Sequence, residues 1–128
     1  MQRSMMLLVV SMLATMAVIP VRVGHAADES LTVVVRFYPT PGREDELRTR
    51  LTRLRDFVHR NNPGVLYKLY RSAKPPVVFI LYEIFPSQAS FDNQSKYIFP
   101  AFQKENGPVP EGIVTRPVEQ EMLREVDN

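Results

Sequence analysis

The sequence predicts an α+β domain with the order β-α-β-β-α-β, a four-stranded antiparallel sheet carrying two helices on one face. Three observations lead there. Residues 31–38 and 77–85 (LTVVVRFY and VVFILYEIF) are apolar, β-branched-rich runs of strand length. Between them, residues 43–60 carry an apolar stripe at helical spacing. Proline and glycine clusters punctuate every junction.

Taken in order, the first strand stops at Pro39, Pro41 and Gly42. The helix that follows opens on Glu44, Asp45 and Glu46 and closes on Arg55, His59 and Arg60, the charge order that the helix dipole favours. Leu47, Leu51, Leu54 and Val58 form its stripe, and Phe57 widens it. Asn61-Asn62-Pro63-Gly64 ends it, with asparagine expected in the left-handed cap. Residues 65–72 then alternate, placing Val65, Tyr67 and Leu69 on one face and Leu66, Lys68 and Tyr70 on the other.

The 77–85 strand is apolar on both faces, which predicts a central position. Ser87 is the expected N-cap of the second helix, whose inward positions are Phe91, Ser95, Ile98 and Phe102. Pro100 predicts a kink or break near Ile98. Residues 113–122 read as a last strand, which Pro117 assigns to an edge or a bulge. The order is that of a split β-α-β unit of the ferredoxin-like type.

Residues 1–26 read as a secretory signal: Arg3 near the start, uncharged residues 5–19, and the small residue Ala26 at the exit. The expected product is one exported domain over residues 27–128, with no membrane attachment once the signal is removed. Without Arg3 and Arg22 it carries 14 basic and 14 acidic side chains. A neutral surface offers no general electrostatic case for nucleic acid or anionic membranes. The 128 residues contain no cysteine, which removes thiolate catalysis, thiolate zinc sites and iron–sulfur clusters. Of two histidines only His59 lies outside the signal, so a multi-histidine metal site is excluded. There is no GxGxxG or GxxxxGK[ST] loop, which argues against nucleotide chemistry.

Two helices can cover only one face of such a sheet, yet Val34, Val78, Ile80 and Ile84 also need cover. The expected solution is a homodimer packed sheet to sheet.

Four segments carry a family resemblance: Pro41-Gly42-Arg43-Glu44, Pro63-Gly64-Val65-Leu66-Tyr67, Phe79-Ile80-Leu81-Tyr82-Glu83-Ile84-Phe85 and Ala89-Ser90-Phe91-Asp92. In this order and spacing, across residues 31–104, the chain resembles the antibiotic biosynthesis monooxygenase (ABM) family. The resemblance implies a dimeric α/β barrel with a pocket between helices and sheet in each subunit. It also implies oxygenation of a quinol or polyketide-anthrone substrate by O2 with neither metal nor flavin. Such a substrate, once deprotonated, supplies the electrons itself. The protein needs an apolar cavity, a proton acceptor and hydrogen-bond donors for the anion. Two departures stand out. The family's helix histidine falls on Gln94, which cannot take a proton at neutral pH but can hydrogen-bond a quinone oxygen. The aromatic after the strand glutamate is Phe85 rather than Trp. A haem-degrading branch uses an Asn, a Trp and a His; the matching positions here are Val35, Gln94 and Lys104, so haem degradation is disfavoured.

The expected catalytic residues are Glu83 and His59. Burial in an apolar strand would raise the Glu83 pKa into a useful range; the alternative is an ion pair with Arg36 or Arg71. His59 is either a base or a helix-capping residue. Tyr67, Tyr82, Tyr97, Asn93 and Gln94 are the expected contacts for a small aromatic substrate or ligand, with Tyr70 a further tyrosine of the set. The arginines of the first helix read as a solvated face. On the same scaffold, a non-catalytic aromatic-binding module or a purely structural dimer are the alternatives to a monooxygenase.

Overall fold

The computed structural model describes residues 29–126; the signal expected over residues 1–26 lies outside them. The predicted order is present. Strand β1 (Leu31–Phe37) leads to helix α1 (Glu44–Asn61), strands β2 (Leu66–Arg71) and β3 (Phe79–Phe85) follow, and β4 (Glu119–Leu123) ends the sheet. Between β3 and β4 runs a helical stretch in three parts: α2 (Gln88–Asn93), a π turn (Gln94–Ile98) and α3 (Phe99–Asn106). The sheet has the ferredoxin-like order β2-β3-β1-β4, antiparallel throughout and open at both edges.

Local chemistry explains the junctions. The α1 stripe Leu47, Leu51, Leu54, Phe57 and Val58 is buried as expected. At the end of α1 the left-handed residue is Gly64 (φ +93°) and not an asparagine; Asn62 instead returns its main-chain N–H to the Val58 carbonyl. Ser87 caps α2, accepting a hydrogen bond from the Ser90 N–H at 3.2 Å. Pro100 falls in the first turn of α3, where its missing N–H costs nothing, and the break ahead of it takes the form of the π turn. That turn makes Gln94 rather than Ser95 the buried residue of the segment. The last strand begins two residues after Pro117, with residue 114 joined to Pro39 by an isolated bridge.

Strand alternation divides the sheet into two faces. Leu31, Val33, Tyr67, Phe79, Leu81, Glu83 and Phe85 are buried beneath the helices. Phe57 meets Phe102 edge to face at 5.7 Å between ring centroids, and Phe85 meets Phe91 at 5.3 Å. On the other face Val34, Ile80, Tyr82 and Ile84 are half-buried, while Leu66, Tyr70 and Leu123 are exposed. Arg36 on that face pairs with Glu121 across the β1–β4 ladder. Arg50 departs from the solvated face expected for the helix arginines. It lies over the Phe102 ring and donates to the Gly107 carbonyl at 2.8 Å, tying α1 to the end of α3.

Candidate functional site

Between the helices and the buried face of the sheet lies a cavity of about 370 Å3, within the size range of small-molecule sites. Its floor is Val33, Val35 and Phe37 of β1, Leu81, Glu83 and Phe85 of β3, and Tyr67 of β2. Gln120 of β4 joins them. Leu54, Phe91, Gln94, Ser95 and Phe99 form the roof, with Val109 and Val118 at one side. A smaller apolar chamber of about 90 Å3 shares Phe37, Leu54, Phe99, Val109 and Val118 with it. From Val33 to Phe37 the floor runs four residue steps, about 13 Å of strand. The space is long enough for more than one fused ring.

Glu83 and Tyr67 stand side by side at the Val33 end. Glu83 sits directly opposite Val33 on one side and Tyr67 on the other. It is 6 % exposed. Burial raises its pKa from 4.5 to about 7, with a hydrogen-bonding interaction from Tyr67 pulling the other way. Tyr67 is pushed well above its ordinary value of 10, first by burial and then by the neighbouring carboxyl. It therefore keeps its proton and stays a donor. Gln94, also 6 % exposed, accepts a hydrogen bond from Asn62 Nδ2 at 3.1 Å. Asn62, Glu83 and Gln94 are the buried polar or charged side chains among the described residues.

Of the residues singled out from the sequence, the cavity brings together Glu83, Tyr67 and Gln94. It leaves out the other four. Tyr82 alternates with Glu83 and so belongs to the opposite face of the sheet. Tyr97 is 68 % exposed on the outer side of the π turn. Asn93 is half-buried beside Gln94 but does not line the cavity. His59 follows the fully buried Val58 at the end of α1 and bonds the Tyr67 carbonyl through Nε2 at 2.8 Å, holding backbone rather than facing the cavity. Glu83 makes no ion pair with Arg36 or Arg71: Arg36 lies on the other face with Glu121, and Arg71 is exposed at the far end of β2. Sequence reasoning missed Gln120 and Asn62 as a partner of Gln94, while Ser95, expected on the inward side of its helix, lines the cavity. Among the described residues no group of three or more His, Cys, Asp or Glu is placed to hold a metal ion.

The sequence pattern of antibiotic biosynthesis monooxygenases matches residues 30–96, from β1 through the π turn, a span that contains Tyr67, Glu83 and Gln94. The chain belongs to the antibiotic biosynthesis monooxygenase (ABM) family. Among proteins of curated function none matches it. Solved structures with the same fold include Rv0793 of Mycobacterium tuberculosis, 26 % identical over 77 % of this chain and 97 % of that one, with a TM-score of 0.61. A Caulobacter crescentus CB15 protein named for antibiotic biosynthesis monooxygenases is 22 % identical over 82 % of this chain and 97 % of that one, with a TM-score of 0.65. PA3566 of Pseudomonas aeruginosa is 21 % identical over 79 % and 98 % respectively, at 0.61. The four-stranded antiparallel sheet with its helices is consistent with the ABM fold.

Proposed function

We propose that this ABM protein is an exported, cofactor-independent monooxygenase that oxidises a quinol or related phenolic or polyketide substrate with O2. The observation that carries this reading is Glu83: a carboxyl buried in an apolar cavity, with a pKa near 7, facing a tyrosine that remains protonated. Such a group can take a proton from an enolisable or phenolic substrate at neutral pH. The resulting anion passes one electron to O2, and the substrate radical and superoxide combine at ring carbon. Collapse of the hydroperoxide turns that carbon into a carbonyl. Glu83 returns its proton to the peroxide, and the carbon gives up its remaining hydrogen as the O–O bond breaks. One oxygen atom stays in the product and the other leaves as water, so the substrate supplies all four electrons that reduce O2. Tyr67 and Gln94 stabilise negative charge on the substrate oxygen as hydrogen-bond donors.

The uncovered face of the sheet supports a homodimer as the working form. Val34, Ile80, Tyr82 and Ile84, with exposed Leu66 and Tyr70, form an apolar surface that a second copy would bury.

The test is oxygen uptake with hydroquinones, naphthols and anthrones in the presence of a chelator, each against its own autoxidation rate. Uptake well above background that falls at least about tenfold in Glu83→Gln supports the reading, since a positioned base contributes a factor of ~100 or more. Background uptake across the panel favours a binding module on the same cavity. Gln94, at the position of the family histidine and unable to accept a proton, is the residue that speaks for that alternative.

A further inference from the structure

Gln94 reaches the cavity from the first position of the π turn, and its side chain has one hydrogen-bond partner among the described residues. Asn62 Nδ2 donates to Gln94 Oε1 at 3.1 Å, both residues being nearly fully buried. An amide has two ends, and this contact occupies the acceptor end. No fully enclosed side-chain nitrogen or oxygen among the described residues lacks a partner, so the Gln94 NH2 group, which has none there, borders the open space of the cavity. Asn62 is itself fixed through its backbone: its N–H bonds the Val58 carbonyl at 2.8 Å and its own carbonyl accepts from Val65 N–H at 3.4 Å. The donor amide therefore hangs from the rigid end of α1.

We infer that Asn62 is a positioning residue that sets the polarity of the site. By engaging the Gln94 oxygen it turns the Gln94 NH2 into the cavity, so that the site selects ligands presenting an acceptor oxygen, a carbonyl or phenolate, at that end. This inference rests on the cavity being a ligand site, as proposed above. It adds a directional rule for the ligand. On the cavity floor Tyr67 is a further donor with the Glu83 carboxyl beside it, and the region around Phe37 offers only apolar surface to the rest of the molecule. A ligand whose sole polar group is a donor leaves the Gln94 NH2 without a partner in a buried setting, which is the costly arrangement.

The test compares two probes of similar bulk, α-tetralone, whose polar atom is an acceptor, and indole, whose polar group is a donor. Binding to the full chain is measured by calorimetry at pH 8, with folding checked by circular dichroism. Glu83 is an acceptor for indole in parent and variant alike at this pH, so the change in affinity ratio is the readout: Asn62→Asp should shift it toward indole by about three- to tenfold, the worth of one hydrogen bond exchanged. The carboxylate introduced by that change can only accept, so Gln94 must turn its NH2 to it and show its oxygen to the ligand. Asn62→Leu should shift the ratio in the same direction by less. Loss of affinity for both probes in equal measure, with the ratio unchanged in folded variants, overturns the inference while leaving the cavity as a ligand site. Failure of both probes to bind the unaltered protein overturns the ligand site and the inference with it. Should Asn62→Asp not fold, Gln94→Met decides: the affinity ratio must shift toward indole, and an unchanged ratio overturns the inference.

Discussion

Tyr67 and Glu83 stand directly opposite each other on neighbouring antiparallel strands, both buried beneath the helices. The pair sits on the helix face because β2 and β3 are in this register; a slip of one residue would put Tyr82 there instead. They act on each other in opposite directions: the Glu83 carboxyl raises the proton affinity of Tyr67, while the hydrogen bond from Tyr67 lowers that of Glu83. Burial holds the Glu83 carboxyl near pH 7, and the carboxyl helps keep the Tyr67 phenol protonated.

The Glu83 shift has a stability consequence. Its pKa is higher in the folded chain than in the unfolded one, so the folded state holds the extra proton between about pH 4.5 and 7. Stability therefore falls as pH rises through that window, and above it ionised Glu83 costs about 3 kcal/mol. Glu83→Gln should be close to neutral at pH 4 and more stable than the parent at pH 8. Urea denaturation at the two pH values checks this; an equal effect at both would contradict the buried carboxyl.

His59 should prove structural. His59→Ala removes the bond to the Tyr67 carbonyl and should cost about 1 kcal/mol of stability. Any turnover found for the parent should survive within a factor of about two, a change smaller than the loss of one hydrogen bond to a reacting group. A large fall in kcat with unchanged thermal stability would return His59 to the catalytic set.

The apolar open face predicts its own mutant phenotype. Ile84→Lys, on the face away from the cavity, should leave the fold intact and weaken self-association by at least about tenfold, as expected for a charge placed in a buried apolar patch. Sedimentation velocity across a concentration series measures it. A parent protein that is monomeric at every concentration would remove the sheet-to-sheet dimer.

Ser87→Ala should destabilise the chain by about 1 kcal/mol by removing the α2 cap. Because α2 carries Phe91 and leads into Gln94, the same change should also loosen ligand binding, read as a weaker Kd for α-tetralone.

Much of the fold was legible because its signals are local. The α1 stripe, the Ser87 cap and the Pro100 break each depend on residues close in sequence, and each is present. The site was legible only in part. Because β3 is apolar on both sides, nothing within it says whether Glu83 or Tyr82 meets the helices; the pairing with Tyr67 decides that, and pairing is not local. Asn62 sits in a helix-exit tetrapeptide whose turn role fully explained it, which hid its reach to Gln94, 32 residues away. Gln120 lies in an edge strand exposed along its whole length, where no alternation marks an inward side. The left-handed position after α1 also went to glycine, the residue without a Cβ to clash.

That edge strand has a dynamic consequence. β4 supplies Gln120 to the cavity wall yet buries none of its five residues, and its ladder runs along β1 alone. Little apolar contact is lost when it peels away, so it opens at far less cost than the central strands. The wall that moves most readily is thus one that borders the cavity. Amide protons of residues 119–123 should exchange with deuterium well ahead of those in β3, and a molecule seated against Gln120 should slow them. In that sense β4 is the hinged side of the chamber, and Arg36 and Tyr38, bonded to Glu121 and Glu119, are its latches.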